Sequence, residues 1–174
     1  MKQEHASALA PAPALSIEKL LDNDPFFEKL QQVRRAIASR AFDFFKAAGF
    51  TDGHALHDWL RAESEVLQPV PIDMTETDQG IVIKAQIPGF SEKDIDLRVD
   101  SQRLYISGKH EESSEKKKGK SVYSEWQSNE ILREVDLPVA IDSDNVKAHM
   151  RNGVLEVSLS KLEKPKKIHL ARTS

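Results

Sequence analysis

Two alternating segments joined by Asn152-Gly153 are the feature that most constrains the fold of this chain. Asn-Gly is the strongest short-range signal for a two-residue hairpin loop, because both residues tolerate the positive φ of a type I′ turn. A slip of one residue in the pairing would bury charge, so the alternation fixes the register. Because a lone hairpin is marginal in water, we expect a larger sheet around these strands. The predicted apolar pairs are Met150–Leu155, Ala148–Val157 and Val146–Leu159, and the polar pairs on the other face are Lys147–Ser158 and His149–Glu156.

The composition excludes several classes of protein. The chain has 174 residues, 39% of them hydrophobic and 30% charged, with a formal net charge of −3. That charge gives no general attraction to nucleic acid or to an anionic membrane, and no apolar run is long enough to span a bilayer. The absence of cysteine excludes disulfides, thiol catalysis and Cys-ligated metal sites. Residues 1–15 lack the continuous apolar core of a secretory signal, so we expect a cytoplasmic protein.

The N-terminal part of the chain is predicted to be helical after a short irregular segment. Residues 1–15 are rich in Ala and Pro without periodicity, and we expect them to be disordered. Residues 16–69 carry a helical pattern. Asp24 is the predicted N-cap of a first helix, with Pro25 at its first position, and apolar residues then recur every three or four positions until Gly49.

A second helix is predicted to begin near Thr51 or Asp52 and to end before Pro69, which gives a helical hairpin. Two helices of this length cannot bury all of their aromatic rings between themselves. The rings therefore either form the core of the hairpin and dock it in an assembly, or remain available to a partner. The aromatic residues in question are Phe26, Phe27, Phe42, Phe44, Phe45, Phe50 and Trp59.

After Pro69 the hydrophobic period changes from that of a helix to two, which predicts strands. Residues 95–99 can pair back onto residues 104–108 with Val99 opposite Leu104. Six or seven short strands separated by turn signals predict an antiparallel β-sandwich over residues 70–160, preceded by the helical hairpin. The segments with the clearest alternation are 81–85, 95–99, 104–108 and 131–137.

Four short motifs follow one another in this region. Together, and in this order, they resemble the α-crystallin domain of the small heat shock proteins, the Hsp20 family. Residues 38–65 are similar to a short helical module found in bacterial proteins of unknown function. The motifs are Ile87-Pro88-Gly89-Phe90, Leu104-x-Ile106-x-Gly108, Leu137-Pro138, and the signature turn Ala148, Asn152, Gly153, Val154 and Leu155.

The resemblance implies an immunoglobulin-like sandwich that assembles in two ways. In the family a long loop adds a strand to the sheet of a partner subunit and makes a dimer, and the residues implied for that contact here are Val122, Tyr123, Trp126 and Arg133. The family also carries an Ile-x-Ile/Val tail that joins dimers. Residues 161–174 form such an extension, with Ile168 and Leu170 as the two apolar side chains. A groove at the Val146 end of the signature hairpin is the expected socket for this tail.

The sequence contains no catalytic constellation that would favour an enzyme. His54 and His57 lie three residues apart on a polar helix face, which is more typical of solvated side chains than of metal ligands. Residues 116–118 are a short Lys run flanked by Glu, which does not indicate nucleic-acid binding. We therefore expect no cofactor and no metal. The resemblance implies an ATP-independent holdase that binds itself and unfolding clients, and the aromatic residues of the N-terminal helices named above are the candidate client-binding residues. The alternative is a scaffold that binds one defined partner through the sandwich.

Overall fold

A computed structural model describes residues 14–110 and 129–163, which form a β-sandwich with two helices laid against it. Both helices precede the seven longer strands of the sandwich in the chain, as the sequence predicts, and two short strands precede the helices. A short 3₁₀ turn, Glu92–Asp94, leads into the second sheet. The helices are α1 (Phe26–Ala47) and α2 (Ala55–Val66). The strands are β1 (Ala14–Leu15), β2 (Ile17–Lys19), β3 (Ile72–Glu76), β4 (Gly80–Gln86), β5 (Ile95–Val99), β6 (Arg103–Lys109), β7 (Glu130–Asp136), β8 (Ile141–Arg151) and β9 (Val154–Lys161).

The strands make two sheets that face each other across one hydrophobic core. The first sheet has the strand order β1-β8-β9-β4-β3, and the second has the order β2-β5-β6-β7. Period-two alternation places one side of each strand between the sheets, so that side chains such as Ile83, Ile106 and Val157 are fully buried. We call this layer the main core. The predicted mainly β sandwich with an N-terminal helical hairpin is confirmed.

The register of the signature hairpin is the one that the sequence predicts. Ala148 lies opposite Val157 and Met150 opposite Leu155, with all four side chains in the main core. The loop residues Asn152 and Gly153 have φ values of 50° and 73°. The pairing of Val99 with Leu104 across β5 and β6 is also confirmed.

Residues 14–19 differ from the prediction. They were expected to be disordered up to Leu15 and helical from Ser16, but both expectations are wrong for this segment, because it forms β1 and β2. β1 pairs antiparallel with β8, and β2 pairs parallel with β5, so the segment closes the adjacent edges of both sheets. We call residues 14–19 the strap.

The helix ends follow local chemistry with small shifts from the predicted positions. Asp24 Oδ1 accepts the Phe26 N–H at 2.9 Å, and the helix begins one residue later than predicted. Gly49 takes a φ of 73° and ends α1 as predicted. α2 begins at Ala55 rather than near Thr51 because Gly53 has a φ of 97°, which is incompatible with a helix.

Helix α1 lies on the outer face of the second sheet. Phe26 and Leu30 are buried there against Tyr105 of β6, and Leu132 of β7 contributes to the same contact. Further along α1, Val33, Ile37 and Phe44 are buried together with Ala62 of α2. The fold therefore has three layers, with the helices outside the second sheet.

Candidate interaction surfaces

The strap lies along the outer edges of β5 and β8 and pairs with both strands. Leu15 and Ile17 are half-buried and pack against the main core, while Ser16 between them is exposed. Leu15 lies opposite Ala148, and Ile17 lies opposite Leu97. The predicted tail socket is thus covered, at its β8 edge, by a different segment of the same chain.

Arg98 of β5 anchors the strap to the sandwich. Its Nη1 lies 3.0 Å from Glu18 Oε2 and 2.6 Å from Asp96 Oδ1, and its Nε lies 3.3 Å from Asp24 Oδ2. The Arg98 side chain is only 15% exposed, so these carboxylates compensate a guanidinium that has lost most of its water. Arg98 therefore ties the strap and the start of α1 to the same strand. Sequence reasoning did not single out Arg98.

A second ion pair holds the strap against the first sheet. Lys19 Nζ lies 2.5 Å from Asp144 Oδ1 of β8, and β2 also contacts β8. Both side chains are largely exposed, so the pair contributes little to stability, of the order of 0–1 kcal/mol. Besides Arg98, the strap is held mainly by two short backbone ladders and by two half-buried apolar side chains.

The opposite edges of the sandwich are β3 and β7 within the described residues. Arg133 of β7 lies between the buried residues Ile131 and Val135, on the strand face that points to the main core. Its side chain is nevertheless exposed. It borders a cavity of about 390 Å³ between α2 and β7, whose apolar wall includes Leu60 and Leu132. Arg133 is the only predicted dimer-contact residue within the described part of the chain. Val122, Tyr123 and Trp126 lie outside the described residues.

The helical pair exposes a set of apolar side chains. The rings of Phe42, Phe45 and Phe50 contact one another in series, with centroid distances of 6.1 Å and 5.4 Å. Phe42 and Phe50 are 54% and 60% exposed, respectively. On α2, Leu56, Trp59 and Leu60 are exposed, and Ala62 is the only fully buried residue of that helix. We call these six residues the helical apolar surface.

Three of the predicted client-binding rings are not part of this surface. Phe26 is buried and its ring meets Tyr105 edge-on at 5.6 Å between centroids. Phe44 is buried between the guanidinium groups of Arg40 and Arg61, which lie 4.6 Å and 3.9 Å from its ring centroid. Both guanidinium groups also face Glu65, so this cluster joins α1 to α2. Phe27 is half-buried.

The signature turn has a structural role. Ile87 N–H donates to Gly153 O at 2.8 Å, and the chain at Pro88 passes close to Gly153. The turn therefore contacts the Ile87-Pro88-Gly89 motif at the end of β4. Of the signature residues, Ala148 and Leu155 are fully buried and Val154 is exposed.

The carboxyl group of Asp94, near this turn, has a lowered pKa. The hydroxyl and the backbone N–H of Ser91 both donate to Asp94 Oδ2, at 2.6 Å and 2.8 Å, and they hold the pKa of Asp94 below its ordinary value. His110 Nδ1 lies 3.4 Å from the same oxygen and adds to the effect. This cluster is the capping box of the 3₁₀ turn.

Neither metal-binding nor membrane-spanning features occur in the described part of the chain. Residues 14–110 and 129–163 contain no group of three or more His, Asp or Glu side chains arranged to hold a metal ion. Neither α1 nor α2 is long and apolar enough to cross a membrane. The predicted tail residues Ile168 and Leu170 lie outside the described residues.

The two-sheet sandwich and its signature turn are those of an α-crystallin-type domain. The Hsp20/alpha crystallin family matches residues 73–173, and a family described as protein of unknown function, DUF2934, matches residues 32–68. The chain belongs to the Hsp20/alpha crystallin family. This is the family of the small heat shock proteins, which are chaperones and not enzymes.

Similarity to individual proteins agrees with this assignment. The chain is 35% identical over 94 residues to small heat shock protein C2 of Rickettsia felis, covering 54% of this chain and 61% of that relative. It is 32% identical over 120 residues to spore protein SP21 of Stigmatella aurantiaca, covering 67% and 71%. The solved structure of heat shock protein 16.0 from Schizosaccharomyces pombe aligns with a TM-score of 0.50 at 28% identity, covering 62% of this chain and 99% of that one.

Proposed function

We propose that the protein is an ATP-independent holdase of the cytoplasm, which binds unfolding proteins through the helical apolar surface and thereby prevents their aggregation. The observation that carries this proposal is the concentration of exposed large apolar side chains on α1, α2 and the turn between them. Exposed large apolar side chains grouped on one part of a folded chain are typical of a site that binds protein. The family assignment supports the chaperone class in general.

Several apolar side chains must be buried together to give enough binding free energy to hold a client. A half-exposed aromatic ring leaves roughly 100 Å² to be buried, which is worth about 2.5 kcal/mol at about 25 cal/mol per Å². Association costs at least about 4 kcal/mol in lost freedom of motion. One ring therefore does not hold a client, whereas Phe42, Phe50 and Trp59 together with Leu56 and Leu60 exceed that cost.

We infer that the working form is a dimer-based oligomer. The strap strands β1 and β2 form one edge of each sheet but contain only two and three residues, so β3 and β7 are the longer edges within the described residues to which a partner strand can be added. Such a strand would come from the partner's loop around Val122, Tyr123 and Trp126, with exposed Arg133 of β7 at the same side. Ile168 and Leu170 would then connect dimers.

The holdase proposal is tested by light scattering from a heat-stressed, aggregation-prone protein. The wild-type chain at equimolar subunits should suppress scattering. The double substitution Phe42→Gln and Phe50→Asn should remove most of that suppression; Asn is chosen because Phe50 has a φ of 59° and Asn tolerates that conformation. A matched control, Val154→Thr with Leu162→Gln, removes exposed apolar side chains from the sandwich instead.

Two results would contradict the proposal. If the wild-type chain gives no suppression, the holdase function is wrong, and a scaffold for a defined partner becomes the better description. If the helix variant suppresses as well as wild type while the sandwich control does not, client binding belongs to the sandwich.

Native mass spectrometry tests the role of the tail in assembly. Ile168→Ala with Leu170→Ala should shift the distribution of oligomers to smaller species, because the two apolar side chains that join dimers are truncated. The control Leu162→Ala truncates an exposed apolar residue just after β9. An unchanged distribution in the tail variant would show that Ile168 and Leu170 do not join dimers.

A further inference from the structure

The cavity between α2 and β7 has a floor that is fixed to both apolar cores. The segment that follows α2 is held to β7, because Gln68 N–H donates to Glu130 O at 2.8 Å. Within this segment, Leu67 is buried with the helices and Val70 is buried in the main core. All three residues of the segment line the cavity. The cavity is therefore part of the folded chain and is formed before anything binds to it.

The cavity is mostly apolar, and its size suits one large side chain. Its volume of about 390 Å³ lies near the lower end of the roughly 300–1,000 Å³ that is usual for small-molecule sites. Leu60, Pro69, Pro71 and Leu132 complete its apolar wall. An aromatic side chain buries roughly 150–250 Å² when it is enclosed. The cavity therefore has room for one aromatic side chain together with the peptide groups next to it.

The lining of the cavity carries one charge of each sign. Arg133 belongs to β7, and the half-buried Glu63 belongs to α2. Neither side chain has an ion-pair partner within residues 14–110 and 129–163. A bound carboxylate would be repelled by Glu63, and a bound amine would be repelled by Arg133. An uncharged peptide group offers its N–H to the carboxylate and its C=O to the guanidinium. The lining therefore favours a peptide over a fatty acid or an amine.

The cavity is continuous with the helical apolar surface. Leu60 belongs to both, because its side chain is 57% exposed and also lines the cavity. A chain segment that enters the cavity therefore also contacts the helical apolar surface. An enclosed side chain loses more contact with water than one that lies on an open surface, so its burial is more favourable. The cavity should therefore provide the strongest single contact of the client site.

We propose that the cavity between α2 and β7 is the side-chain pocket of the client site, and that it takes one aromatic side chain from an extended client segment with uncharged neighbours. This inference rests on the proposed holdase function and specifies which client segments are bound. An aromatic residue between acidic residues is repelled by Glu63, and one between basic residues is repelled by Arg133. Both kinds of segment bind more weakly than a segment with uncharged flanks.

Filling the cavity tests its role without removing any apolar residue. Ser64 is an exposed residue of α2 that lines the cavity, and Ser64→Trp places an indole there. The control His57→Trp adds the same ring at an exposed position of the same helix, outside the cavity lining. In the light-scattering assay, Ser64→Trp should need roughly threefold more protein than wild type for half suppression, because the enclosed contact is lost. The control should match wild type. Circular dichroism verifies that both variants are folded.

Saturation-transfer NMR with three small probes measures the selectivity of the cavity itself. The probes are N-acetyl-tryptophan amide, which is neutral, N-acetyl-tryptophan, which is an acid, and tryptamine, which is an amine. Wild type should bind the neutral probe roughly threefold more tightly than either charged probe. Ser64→Trp should lose most of the binding of the neutral probe. Glu63→Gln should abolish the preference for the neutral probe over the acid, because the repelling carboxylate is gone. The control Asp52→Asn, which removes a carboxylate from the turn between the helices, should keep that preference.

The results distinguish this inference from the proposal on which it rests. If wild type and Ser64→Trp suppress scattering equally well, clients do not use the cavity, and the inference is overturned while the holdase function stands. If wild type does not suppress scattering, the holdase function is wrong and the client role of the cavity is wrong with it. Equal affinities of wild type for the three probes, or an unchanged preference in Glu63→Gln, would overturn the selectivity assigned to the cavity.

Discussion

Replacing Gly153 with Ala tests how tightly the signature turn is packed against β4. Gly153 has a φ of 73°, and a Cβ at this position would lie 3.2 Å from Pro88 Cα. Gly89 has a φ of 88°, with no atom within 4 Å of its Cβ position. Gly89→Ala therefore measures the cost of the backbone conformation alone, and Gly153→Ala measures the same cost plus the contact.

The two contributions have different sizes. An Ala in the left-handed region costs about 1–2 kcal/mol, partly offset by about 0.4–1 kcal/mol from the stiffer unfolded chain, so Gly89→Ala should cost about 1 kcal/mol. At Gly153 the neighbouring atom belongs to the backbone, and the 2.8 Å hydrogen bond from Ile87 N–H to Gly153 O keeps the two segments together. Relieving such a contact costs about 1–3 kcal/mol more. Gly153→Ala should therefore cost about 2–4 kcal/mol.

Urea denaturation followed by circular dichroism measures both values. With a slope of about 2 kcal/mol per M, Gly153→Ala should lower the midpoint by about 1–2 M and Gly89→Ala by about 0.5 M. Equal losses for Gly153→Ala and Gly89→Ala would refute the reasoning, because they would show that the turn shifts away from Pro88 at no cost.

Two further predictions concern the outer helix layer and the 3₁₀ turn. Phe26→Ala should lower the free energy of unfolding by about 3 kcal/mol, because a buried ring packed on Tyr105 is lost. The control Phe42→Ala removes a largely exposed ring and should lower it by well under about 1 kcal/mol in the same urea titration. Ser91→Ala removes the largest cause of the lowered pKa of Asp94. The stabilisation from Asp94 is complete above its ordinary pKa of 3.8 and is lost as the pH falls through the lower pKa of the folded state. The wild type should therefore exceed the variant in stability at pH 7, and this difference should shrink as the pH falls below 3.8.

Local signals account for the parts of the fold that the sequence predicts well. The register of β8 with β9 follows from the Asn152-Gly153 turn and from two alternating strands of matching phase. The pairing of β5 with β6 follows from a turn of a few residues after Val99. The end of α1 follows from Gly49. In each case the residues that decide the geometry are close together in the chain.

The strap and the outer helix contact depend on distant residues instead. Leu15 pairs with Ala148, and Ile17 pairs in parallel with Leu97, so no turn signal marks either contact. The short strap also begins within an Ala- and Pro-rich stretch that reads as disordered. One signal was present: Tyr105 and Leu132 are apolar residues at outward-facing positions of adjacent strands, which indicates that something covers the outer face of the second sheet.

The packing of α1 on the outer face of the second sheet affects hydrogen exchange of the β6 backbone amides. Residues from Leu104 to Gly108 are all buried, because the main core lies on one side of the strand and α1 on the other. β6 is also flanked by β5 and β7, so its backbone amides are protected within the sheet. Amides in such a strand exchange with deuterium only when the whole unit opens. Because a helix covers it from outside the sandwich, we expect β6 to be among the slowest-exchanging strands.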